Sequence, residues 1–173
     1  MKQVEPALFG ALEGLKLANR ELPWAGEDPE RWRWVAVGLV TALKCALIAA
    51  LSGYETASPG DTADLKDATR VAPLALLLRR ARSERYLVAP ERLQATAAEV
   101  EACLRLAAYR NQVVHGVAAE RPDRIGGDCR SALGLVRHLL VAAPAFDPAR
   151  HAVTAALISD EISRLQRQLG PVG

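Results

Sequence analysis

Aromatic side chains are scarce in this chain. Its 173 residues hold 3 tryptophans, 3 tyrosines and 2 phenylalanines. A core without them must be built from Ala, Leu and Val. Ala and Leu are strong helix formers, and strand formers are thin outside scattered valines, so the expected class is all-α. Cysteine is nearly absent too. Cys45, Cys103 and Cys129 are odd in number and far apart, with no C-x-x-C pair, which argues against a disulfide framework or a zinc site and fits a reducing cytoplasm. An excess of one charge is also missing. The net charge of +2 implies no strong nucleic-acid field by itself. Arginine greatly outnumbers lysine, which suits phosphate and carboxylate forks and also follows from GC-rich coding. The first residues, "MKQVEPALFG", lack the apolar core of a signal peptide. No repeat, low-complexity tract or long linker divides the chain, so residues 1–173 read as one domain, long enough to bury a core.

What is there reads as helices. Pro6 and Pro23 bracket a first helix over residues 6–20. "EDPERW" starts a second: Asp28 can cap it, Pro29 fits the first helical position, and Glu30 favours the positive end of the dipole. That helix runs to Leu51, with Gly53 to end it. Residues 34–51 are long enough to span a bilayer. Lys44 lies inside the run and charged residues precede it, so a helix buried centrally in a bundle is expected, and no membrane. A polar loop follows, then a third helix over 71–83. Pro90 is expected to open a fourth, with Leu93, Ala97, Val100, Leu104 and Ala108 on one face and an end near Gly116. "ERPDRIGGD" reads as a loop, with a fifth helix over 128–142. "AFDPARH" starts the last helix by the same Asp-Pro device, with Val153, Leu157, Ile162, Leu165 and Leu169 on its apolar side. The architecture expected is a bundle of about five or six helices.

The stretch "YRNQVVHG", residues 109–116, holds one of only 3 histidines. Arg110 and His115 are five apart, about 140° around an ideal helix. Asn111 and His115 are four apart and share a face. The arginine joins them only if the helix bends or unwinds, or if a second copy of the chain completes the site. An imidazole titrates near pH ~6.5 and so can take or give a proton at cellular pH. A guanidinium presents a fixed fork to phosphate oxygens, and an amide can orient the imidazole. Those parts suffice to cleave RNA without metal: a base deprotonates a 2′-hydroxyl, its oxygen attacks the adjacent phosphorus, and arginine steadies the added charge. Carboxylates are too little clustered to offer much of a metal site, and no cofactor is expected.

"RNQVVH" resembles the R-N-x-x-x-H form of the motif of HEPN domains (higher eukaryotes and prokaryotes nucleotide-binding). "RWRWVAVGLVTALKCALIAALSG" is similar to the long helix of bacterial HEPN-like proteins. The resemblance covers residues 25–142. It implies a helical bundle, a homodimer, and a metal-independent ribonuclease of a toxin–antitoxin or phage-defence system. By the motif, Arg110 is the phosphate-binding arginine, His115 the general acid/base and Asn111 the orienting group. RNA is the implied substrate and a cognate antitoxin or other partner protein is implied beside it. Many members are instead non-catalytic modules for dimerisation or for binding a nucleotide or partner. The chain departs from the active members in having no evident acidic helper near the motif.

Plainer readings stand beside these. His115 can simply end a helix, with Gly116 after it. Arg110 can be a solvated helix residue, and Asn111 can bond backbone. His138 and His151 read as structural or exposed. Trp24, Trp32 and Trp34 read as packing at the start of the second helix. Lys44 should reach outward or meet an acidic partner. "RRARSER", residues 79–85, reads as a solvated helix end that could also track a phosphate backbone.

Overall fold

A computed structural model describes residues 3–116 and 120–170. Six α-helices lie among them: α1 (Val4–Glu21), α2 (Trp32–Gly53), α3 (Leu74–Ala81), α4 (Ala97–Val114), α5 (Ile125–Arg137) and α6 (Ala152–Leu169). The described residues contain no strand, only an isolated bridge between Ala63 and Val71. The protein is an all-α helical bundle.

α2 is its axis. Leu39, Leu43, Leu47 and Leu51 are fully buried along it. Lys44 is half-buried and forms no ion pair among the described residues. The segment Pro29–Gly53 is long and apolar enough to cross a membrane by length and composition, and its most apolar window has a mean hydropathy of 2.1. Much of that surface is covered already, since 67% of its most apolar window is buried by the other helices.

α1 runs antiparallel to α2 at very close range. A Cβ added to Gly14 would stand 2.5 Å from the Gly38 carbonyl oxygen, and one added to Gly38 would stand 2.5 Å from the Gly14 oxygen. Two glycines facing each other let the helix backbones touch, which no other residue permits. At the turn that follows α1, the buried Glu21 accepts from Arg20 at 2.8 Å and from Arg31 at 2.9 Å. The hydrogen bond from Arg20 leads in holding this carboxyl below its usual range; burial opposes it and Arg31 adds to it.

The Asp-Pro starts are as the sequence indicates, with a 3₁₀ turn in front of each helix. Asp28 accepts the Glu30 N–H at 3.1 Å before α2, and Asp147 accepts the Ala149 N–H at 3.0 Å before α6. Other expectations need correction. α4 opens at Ala97, not at Pro90, because Thr96 and Glu99 form a reciprocal cap. The Thr96 hydroxyl accepts the Glu99 N–H at 3.2 Å, and the Glu99 carboxylate accepts the Thr96 N–H at 2.8 Å. Leu93 is buried ahead of the helix, its N–H bonded to Ala81. The inner face of α4 is Ala102, Cys103, Leu106 and Tyr109, whereas Ala97 and Ala108 are exposed. α3 is shorter than 71–83. α5 begins at Ile125, taking in two glycines expected in the loop, and ends in a π-helical turn, His138–Ala142. On α6 the buried stripe is Ile158, Ile162, Leu165 and Leu169; Val153 is 77% and Leu157 44% exposed.

Gly134 is exposed in mid-α5, and a Cβ added there would have nothing within 4 Å. Gly134→Ala should therefore stabilise the fold by about 0.5–1 kcal/mol through helix propensity. A rise in melting temperature of about 1–4 °C, read by thermal circular dichroism, checks this.

Candidate functional site

α4 is regular from its cap at Thr96 to Val114. His115 follows as the capping residue (φ −87°, ψ 7°), its N–H still bonded to the Asn111 carbonyl at 3.0 Å. Gly116 then turns to φ +69°, in the left-handed region where glycine is favoured. The plain reading of "HG" as a helix stop is thus correct for the backbone. The side chains divide. Asn111 and His115 are both exposed, whereas Arg110 is half-buried.

α4 stays helical through Val114, which sets Arg110 and His115 about 140° apart around its axis. Arg110 and His115 share no hydrogen bond. Arg110 is nonetheless unusual: its Nε is enclosed without a partner, and its guanidinium meets no carboxylate among the described residues. The His115 ring likewise bonds no carbonyl or carboxylate there.

Beside this helix end lie groups that the sequence does not single out. Tyr109 is buried, and burial pushes its phenol up; Arg33, at the start of α2, and Arg121, ahead of α5, lie close enough to oppose that rise. The signal is hard to find because these three residues come from three separate segments. Arg33 also pairs with Glu30 at 2.7 Å. Trp32 is half-buried and packs on the core. Trp24 and Trp34 do not follow it inward, being 57% and 49% exposed.

α4 is locked to α5 by a bidentate pair. Arg105 donates to the buried Asp128 through Nη2 at 2.7 Å and Nε at 3.2 Å. Asp128 is 4% exposed and Arg105 48%, so the two partners are not equivalent. Removing the arginine strands a carboxylate in the core, whereas a lone arginine can turn to water. Arg105→Ala should cost about 2 kcal/mol and Asp128→Asn about 1 kcal/mol. Urea midpoints at unchanged slope would show the order, and equal losses would contradict it.

The other residues that the sequence singles out lie elsewhere in the bundle. Arg80, inside "RRARSER", is buried and donates to the Asp61 carbonyl at 3.0 Å and the Ala63 carbonyl at 2.7 Å. It is a tether, not part of a solvated helix end. His151 meets the Phe146 ring edge-on at 6.1 Å. His138 is half-buried, with Nε2 enclosed. All three cysteines are free thiols. Burial raises each of them, Cys103 to about 12 with Asp128 and Glu99 adding to the rise, and such thiols are poor nucleophiles. Among the described residues, no group of three or more His, Cys, Asp or Glu side chains is placed to hold a metal ion.

No family model, curated protein or solved structure matches this chain.

Proposed function

We propose that the protein is an HEPN-like, metal-independent endoribonuclease that works as a homodimer. The observation that carries this is Arg110: a guanidinium with an enclosed Nε and no acidic partner among the described residues, one residue from an Asn111–His115 pair that faces solvent. The enclosed Nε is out of reach, but the Nη groups likewise have no partner among the described residues and suit an anion brought from outside, a need that a phosphate oxygen of RNA meets. Because α4 stays helical through Val114, the reaction requires Arg110 of one protomer and the partner's His115 in one recess. His115 takes the 2′-hydroxyl proton, Arg110 binds the phosphate as charge builds on it, and Asn111 orients the imidazole. A cytoplasmic role beside an antitoxin or in phage defence belongs to the same reading.

The second reading is a non-catalytic dimerisation module that binds a nucleotide or a partner protein. The absence of any described group hydrogen-bonded to the His115 ring favours it. Bulk RNA incubated with the purified chain in excess chelator separates the two readings. Fragments support the nuclease. Intact RNA, with the chain still a dimer, supports the module. A mixture of Arg110→Ala and His115→Ala chains tests the shared recess, because a hybrid dimer keeps one complete site and should regain cleavage.

A further inference from the structure

On the other side of Arg121 is a cleft of about 620 Å³, bounded by Leu22, Trp32, Gly126 and Leu169, with Arg121 and Arg130 in its lining and no acidic side chain. Its volume is in the range of small-ligand pockets. Its lining is unbalanced in charge, unlike that of the adjoining cleft of about 510 Å³, whose lining holds Glu99, Asp123 and Asp128 as well as Arg105, Arg124 and Arg130. Arg130 is held in place by donating to the Leu169 carbonyl at 3.0 Å, which leaves its other N–H groups for a ligand. Arg121 is exposed and meets no acid among the described residues. Trp32 lines the cleft, with its indole Cη2 3.9 Å from where a Gly126 Cβ would be. Gly126 sits in the first turn of α5, whose capping residue Arg124 supplies no side-chain acceptor to that turn. Its bare backbone adds an N–H at the positive end of a helix.

We propose that this cleft binds a phosphate monoester carrying a flat apolar group, with the phosphate on Arg121 and Arg130 and the flat group against Trp32. A tethered cation and a free one suit a dianion, and an aromatic side chain beside them suits a ring more than a bare ion. The proposal goes beyond the ribonuclease reading and does not depend on it.

The probe is 2-naphthyl phosphate, titrated calorimetrically into the full chain at low salt, with 2-naphthol and inorganic phosphate in parallel. Saturable binding of the ester is expected, at least about tenfold tighter than either half alone, a factor worth one charge-assisted contact. Arg121→Gln should weaken it about tenfold. Gly126→Ala should weaken it as well; the added methyl clashes with nothing in the protein but fills the approach to the backbone. Both variants should keep the parent's circular dichroism. His115→Ala should bind like the parent, so failure of cleavage and failure of this site are separable. Absence of saturation, 2-naphthol binding as tightly as its phosphate, or parent-like affinity in Arg121→Gln would overturn the proposal.

Discussion

Gly38→Ala is expected to destabilise the protein by about 3 kcal/mol, near the top of the range for overpacked cores. Two effects compete. Alanine gains about 1 kcal/mol of helix propensity over glycine. Against that, its methyl would lie 2.5 Å from the Gly14 oxygen, 2.9 Å from the Ala18 nitrogen and 3.2 Å from the Ala18 Cβ. Two of those three atoms are backbone, which cannot swing aside as a side-chain end can. Relief requires α1 to move off α2, loosening the packing of Leu15, Leu39 and Leu43 that depends on their approach. The clash therefore wins, and a fall in melting temperature of about 6–12 °C follows. Gly14→Ala should behave alike, and the double variant should lose less than the sum, because one displacement relieves both contacts. Melting temperatures equal to the parent's would show that the helices part at little cost.

His115→Ala should lower RNA cleavage about 10²–10⁴-fold, the usual contribution of a positioned acid or base. The fold should hardly notice. His115 is exposed, its backbone bond to Asn111 survives the change, and surface substitutions of this kind stay within about 0.5 kcal/mol. Rate and stability are thus separable in one variant. The measurement is fragment release in chelator, with thermal unfolding and molecular mass recorded on the same preparation. A variant that cleaves as well as its parent removes His115 from the chemistry. A variant that loses activity only because the dimer falls apart does so equally.

Helix number and order are legible because the chain punctuates itself. Asp28-Pro29 and Asp147-Pro148 announce two starts through local hydrogen bonds, which need no knowledge of tertiary packing. Gly116 announces a stop for the same reason. Errors arise where local signals compete. Pro90 and Thr96 can both precede a helix, and the reciprocal bonds of Thr96 with Glu99 prevail. Val153 and Leu157 fit a helical stripe, but α6 meets its neighbours along Ile158, Ile162, Leu165 and Leu169, a phase that depends on how the other helices dock. The candidate site is legible only as a motif. That Arg110 is half-buried while Asn111 and His115 are exposed follows from the direction of the α4 core face, and placing Leu93 on that helix turns the expected face the wrong way. The grouping of Arg33 and Tyr109 with Arg121 joins residues far apart along the chain, and no local pattern encodes it.

The buried Arg80 guanidinium, holding the carbonyls of Asp61 and Ala63, fixes where the molecule tolerates surgery. With Thr62 bonded to Gln3 at 2.9 Å and Ala72 bonded back to Thr62, both feet of this segment are pinned to the bundle, while residues 65–70 between them are exposed. An epitope tag or protease site spliced between Lys66 and Asp67 therefore extends a tip anchored at both feet. The same insertion three residues earlier would pull on the pins themselves.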